Sequence, residues 1–213
     1  MYLVKTPWWL RKLYPTLTWQ LPGDEKVLYL TFDDGPHETA TPFILDCLRS
    51  YNAKGTFFCI GKNVQQHPSI YRRIIEEGHN VGNHTHNHLN GWKTRDREYM
   101  DNINQAASYI DSRLFRPPYG RIGRFQANFL QQVQQPPYQV IMWSVLSGDF
   151  DVKISPEQCL KNVILSATPG SIIVFHDSTK AWERMKYALP GTLEHFAAQG
   201  FAFRSINGAG FNF

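Results

Sequence analysis

Short apolar runs alternate with helix-like segments along most of the chain, and that alternation leaves few folds open. "VLYLTF" (27–32) is rich in β-branched and aromatic residues and stops at the turn signal "DDGP", so it reads as a strand. "TPFILDCLRSYN" follows, with Pro42 near a helix start and apolar residues at Phe43, Ile44, Cys47 and Leu48. "GTFFCI" (55–60) is a second strand, and "HPSIYRRIIEEG" a second proline-led helix ending at Gly78. A polar helix around 95–112, the strand-like "LFRPPYG" and a helix near 122–134 come next. The pattern closes with "YQVIMWSV" (138–145) as a strand, a helix over 155–166, "SIIVF" (171–175), a last helix near 190–199 and "FAFRSI". Such an order predicts an α/β fold, a parallel sheet covered by helices and either open or closed into a barrel.

In folds of this kind the reacting groups sit just past the C-terminal ends of the strands. The polar residues at those positions are chemically related. They are Asp33 and Asp34, then His84, His86 and His88, then Arg116, Asp149, and finally His176 with Asp177. Adjacent residues on a continuing strand face opposite sides, so Asp33 and Asp34 need the Gly35-Pro36 turn to share one mouth. An Asx pair capping the next helix would use the same residues. In "HTHNH", His84 and His88 are four apart, which places both on one helical face or at one bend of a loop; His86 points elsewhere. Two histidines and one aspartate form a ligand set for a catalytic divalent metal, with positions left for water and substrate. Spacing does not say which aspartate binds and which acts as base.

The rest of the composition narrows the class. A chain of 213 residues, 42% hydrophobic, has material for one substantial core. The net charge of +4 comes from scattered Lys and Arg with no long run, which argues against nucleic acid as a partner. Cys47, Cys59 and Cys159 are odd in number and far apart, so they predict buried small side chains, not a disulfide framework or a CxxC zinc site. No segment has the length of a membrane span. Residues 1–22 lack the apolar stretch and cleavage site of a signal peptide and read as an arm packed on the domain of residues 23–213; the expectation is a cytoplasmic protein. Trp8-Trp9 beside Arg11-Lys12 also suit peripheral contact of that arm with a membrane surface.

"TFDDG", "HTHNH", "RPPYG", "WSVLSGDF" and "VFHD", in this order over about residues 27 to 205, resemble the polysaccharide deacetylases with a NodB-homology domain, carbohydrate esterase family four. The resemblance implies a distorted, seven-stranded (β/α) barrel and metal-dependent removal of acetyl groups from N-acetylated or O-acetylated sugars. It makes Asp34, His84 and His88 the ligands of one divalent metal, zinc by ligand type, with cobalt or nickel also workable. Asp33 becomes the general base and Arg116 its orienting partner. The backbone N–H of Tyr119 would help hold the oxyanion. His176 becomes the general acid, positioned by Asp149, and His86 matches no ligand position. The implied partner is an acetylated sugar or glycan.

Three positions depart from the family pattern. Leu146 stands where an aspartate is usual, Phe150 where a tryptophan walls the acetyl methyl group, and Val174 where leucine is usual. The last two leave extra apolar space around the acyl group, unless neighbouring aromatics refill it. Two other readings accompany the deacetylase: a glycan-binding domain without turnover, and a deacylase of a small non-sugar amide.

Overall fold

The computed structural model describes residues 2–23 and 25–207. Met1, Asp24 and 208–213 lie outside them, and with them the ends of the expected arm and domain. Seven parallel strands run in the spatial order β5-β4-β3-β2-β1-β7-β6. They are β1 (Val27–Asp33), β2 (Thr56–Cys59), β3 (Asn80–Asn83), β4 (Leu114–Phe115), β5 (Gln139–Val140), β6 (Val145–Leu146) and β7 (Ile172–His176). A two-residue β8 (Ala202–Phe203) pairs with the start of β1. Central β1 is flanked by β2 and β7, and its buried residues on both faces explain its near-continuous apolar run.

The sheet cannot be flat. β5 and β6 lie at opposite edges, yet only residues 141–144 join them. Five chain steps reach at most roughly 17 Å, whereas six strand spacings would separate the edges by about 29 Å. The sheet therefore curls into the expected barrel-like form, and the N-terminal segment fills the gap. The Thr18 N–H donates to Val140 O and the Met142 N–H to Thr18 O, at 3.0 and 2.7 Å. On the other edge the Thr6 N–H donates to Ser144 O and the Leu146 N–H to Val4 O, at 2.9 and 2.8 Å. Both edges are thus covered by one segment.

Helices pack outside. The elements α2 (Ala40–Ser50), α7 (Pro156–Ile164) and α8 (Trp182–Ala198) bury Ile44, Leu48, Val163, Met185 and Leu189 against β1 and β7. Ser155 caps α7 by accepting from the Gln158 N–H, with Pro156 as its first residue. The remaining helices are α1 (Trp8–Leu13), α3 (Gly61–Gln66), α4 (Pro68–Glu76), α5 (Asp96–Ala107) and α6 (Arg124–Asn128), which continues as a wide turn over Phe129–Val133.

Three expectations needed correction. The run 138–145 is not one strand but two short ones on opposite edges, because the chain leaves the sheet at Ile141 to cross the gap. "LFRPPYG" is extended only at Leu114–Phe115; Pro117 and Pro118 have no N–H to offer a sheet, and Pro118–Gly120 forms a tight turn. The last helix begins at Trp182 and runs through Pro190. A proline inside a helix costs about 3 kcal/mol. Here the neighbouring Gly191 brings α8 close to α7, where a Cβ would fall 2.8 Å from Leu160. Cys59 and Cys159 are buried as expected, whereas Cys47, on α2, is only half-buried.

Candidate active site

Asp33 is the last residue of β1, paired with Phe58 on one side and His176 on the other. The strand breaks one residue earlier than the Gly-Pro turn suggested. Asp34 has φ +86°, a left-handed conformation that swings its carboxylate to the same mouth as Asp33. Asp177 holds this turn by accepting from the Gly35 N–H at 2.8 Å and from the Thr41 hydroxyl. Any side chain at position 35 would collide with it, since a Cβ there would lie 1.8 Å from the Asp177 carboxylate. Burial, with the Asp34 charge nearby, pushes the Asp177 carboxyl up to about 8.

His84 and His88 meet Asp34 through a bend, not a helix. Thr85 and His88 both have positive φ, and amide side chains hold the loop. Asn83 Oδ1 accepts from the Thr85 N–H, while Asn102 Oδ1 accepts from the N–H groups of His86 and Asn87. His88 Nε2 lies 3.2 Å and His84 Nε2 3.7 Å from Asp34 Oδ1. One ligand atom from each of the three residues falls within 4.8 Å of the others. His86 is buried and stacks on Tyr109, away from the group.

These residues fit a metal. Ligands about 2.0–2.1 Å from a tetrahedral zinc lie roughly 3.3–3.4 Å apart, close to the 3.2 and 3.7 Å that separate His88 Nε2 and His84 Nε2 from Asp34 Oδ1. Asp34 Oδ1 is buried without a hydrogen-bond partner, an orphaned anion that a cation would satisfy. His84 Nδ1 donates to Arg116 O at 2.7 Å, which leaves the lone pair on Nε2 facing Asp34. Burial outweighs the nearby Asp33 and Asp34 charges and pushes the His84 imidazole down to about 4, so it is neutral and able to ligate. Burial would raise the Asp34 carboxyl, but the His88, His176 and His84 side chains hold it below the usual carboxylate range.

Two charged couples flank the triad. Arg116 is wholly buried, and its Nη1 donates to Asp33 Oδ1 and to the Thr31 hydroxyl, each at 2.7 Å. Its Nε and Nη2 donate to Ile141 O and Met142 O, and the guanidinium lies 4.1 Å over the Phe58 ring. Opposite, His176 Nδ1 donates to Asp149 Oδ1 at 2.7 Å and its backbone N–H to Oδ2 at 2.6 Å. Asp149 is fully buried, and Arg184 Nε donates to its backbone carbonyl. Burial alone would lower the imidazole, but Asp149, with Asp34 and Asp33 beyond it, raises it to about 10.

A cleft of about 980 Å³ contains Asp33, Asp34, His84, His88 and His176 and is also lined by Tyr119, Leu146, Phe150 and Val174. Tyr119 has φ +59°, and its hydroxyl lies 3.1 Å from His88 Nδ1. The Phe150 ring stands 5.3 Å from His176 and 5.0 Å from Tyr2. Asn63, whose Nδ2 donates to Asp34 O, and Asn83 and Asn102, which hold the histidine loop, carried no sequence signal; Asp177 did, as the residue that directly follows a strand-end histidine.

The Arg116–Asp33 and Asp149–His176 couples and a candidate metal triad lie together at the C-terminal mouth of a curled parallel sheet. The polysaccharide deacetylase sequence profile matches residues 20–141. A peptidoglycan-N-acetylglucosamine deacetylase of Bacillus cereus is 34% identical over 205 residues, 92% of this chain and 95% of that protein. The chain spans 58% of a second, longer Bacillus cereus deacetylase of the same description, 37% identical over 164 residues and 74% of this chain. In the crystal structure of the Bc1960 peptidoglycan N-acetylglucosamine deacetylase in complex with 4-naphthalen-1-yl-N-hydroxybenzamide, the fold matches at a TM-score of 0.85. That match has 30% identity and covers 94% of this chain and 95% of that one. The chain belongs to the polysaccharide deacetylases of carbohydrate esterase family four.

Proposed function

We propose that this protein is a metal-dependent hydrolase that removes acetyl groups from N-acetylated sugars of a glycan, with the N-acetylglucosamine of peptidoglycan as leading substrate. The observation that carries the reading is the pair of couples, Arg116–Asp33 and Asp149–His176, on either side of one ligand triad. Asp34, His84 and His88 would hold a divalent cation, which when bound would supply Lewis acidity at the reacting centre. Asp33, held in place by Arg116, takes a proton from the water as oxygen attacks carbon. The Tyr119 N–H helps accommodate the charge that develops on the carbonyl oxygen. An amine leaves poorly unless protonated, and His176 donates that proton while Asp149 stabilises its charged form. The deciding experiment measures acetate release from peptidoglycan fragments, N-acetylglucosamine oligomers, O-acetylated sugars and small amides, with added zinc and with chelator. Release from none of them would overturn the reading; release from the amides alone would move it to a small-molecule deacylase.

The working form of His176 is the imidazolium, so kcat/KM falls as pH rises through its pKa. Asp149→Asn removes the charge that raises this group and leaves burial, which lowers it. The alkaline limb of the pH profile should move to lower pH. Stability follows the same sign. A group raised from its ordinary 6.5 to about 10 contributes fully below pH 6.5, and the contribution is lost as pH climbs to 10. Asp149→Asn should flatten that window of the stability curve.

Phe150 and Val174 set the acyl end of the cleft. A methylene in such a pocket is worth about 1–3 kcal/mol. Phe150→Trp with Val174→Leu should lower the ratio of kcat/KM for propionyl over acetyl substrates. An unchanged ratio would mean that Tyr2 has already closed the space.

A further inference from the structure

Only one side of α1 belongs to the cleft. Pro7, Leu10 and Leu13, spaced three apart, line it, whereas Trp8 and Trp9 do not. None of the six α1 residues is buried, and Trp8 and Trp9 are 69% and 53% exposed. Leu3 and Leu13 are exposed as well, but on the cleft side. The outer face of α1 thus presents two adjacent exposed indole rings. The segment is not a loose tail, because the backbone bonds at Val4, Thr6 and Thr18 fasten it to both edges of the sheet.

Charge indicates the partner. Residues 2–21 carry Lys5, Arg11 and Lys12 and no Asp or Glu. Lys5 and Lys12 are exposed, and the Lys12 ammonium lies 5.1 Å from the Trp8 ring. Indole rings flanked by cations match the boundary between acyl chains and anionic headgroups, where the ring is half-immersed and the cation meets phosphate. No helix among the described residues is long and apolar enough to cross a membrane, so the contact would lie on the surface. We propose that the outer face of α1 docks the protein on an anionic lipid bilayer and holds the cleft beside that surface. This inference does not rest on the proposed chemistry.

The test is flotation of the full chain with phosphatidylcholine vesicles, alone or mixed with phosphatidylglycerol, at low and high salt. The mixed vesicles should bind and added salt should weaken them, while phosphatidylcholine alone binds poorly. Lys5→Gln and Lys12→Gln should each weaken binding roughly fivefold, the equivalent of about 1 kcal/mol per cation. Trp8→Ser with Trp9→Ser should abolish flotation yet keep the melting temperature, since neither ring lies in the core. No flotation of the unaltered chain, or flotation indifferent to the tryptophan pair, overturns the proposal. So does a self-association in sedimentation equilibrium, or a retention on insoluble glycan, that the same pair abolishes in place of lipid binding. Flotation without acetate release from any substrate would sink the proposed function and leave the docking in place.

Discussion

Asp33→Asn should lower kcat by roughly 10²–10⁴-fold, the scale of a lost general base, with metal content unchanged. The substitution is nearly isosteric, and the amide oxygen can still accept from Arg116 Nη1, which now lies 2.7 Å from the carboxylate. What disappears is the proton acceptor, and the wholly buried Arg116 keeps its charge without a counter-ion. A modest loss of stability should accompany the loss of rate, because an uncompensated buried charge is costly. Metal analysis and acetate-release kinetics on the same preparation separate the effects. Should the variant lose its metal and recover turnover when metal is resupplied, Asp33 is the ligand and Asp34 the base.

The second large effect concerns binding. His88→Ala should reduce zinc affinity by more than about 100-fold, since changes even to the partners of metal ligands cost 10–100-fold. The fold should survive. His88 sits in a half-buried bend, and its side chain touches Asp34, His84 and Tyr119, not the apolar core. Equilibrium dialysis with zinc, followed by cobalt and nickel, measures the loss for each ion. An unchanged stoichiometry would remove His88 from the ligand set.

Much of this site was legible because its chemistry lies at strand ends whose strands are themselves legible. β1 and β7 are buried on both faces, so their apolar runs stand out, and the residues that follow them must lie at the mouth. β3 is the opposite case. It reads Asn-Val-Gly-Asn and pairs with β2 through backbone; Asn83 holds the loop that follows and α5, while Asn80 bonds to Ile206 O near the C-terminus. The split of 138–145 was equally hidden, because both halves are apolar and only the closure of the sheet places them on different edges. The early start of α8 at Trp182 was hidden for a simpler reason. Packing of α8 on α7 outweighs the local preference of Pro190 against a helix interior, and that packing leaves no local mark in the sequence. The ligand triad could be proposed from residue types, but the positive φ at Asp34, Thr85 and His88 that makes the three converge is a property of the folded loops.

The carbonyls of Ile141 and Met142 that hold the Arg116 guanidinium belong to the short crossing between the sheet's two edges, and the N-terminal segment keeps that crossing shut through Thr18. Opening there, even transiently, would release the guanidinium from two of its acceptors and let Asp33 drift. Local breathing of the barrel and misalignment of the base then become a single fluctuation. Amide hydrogen exchange at Met142, whose N–H donates to Thr18, would report it directly. Substitutions that speed this exchange should slow turnover in proportion, although none of them need lie within reach of the substrate.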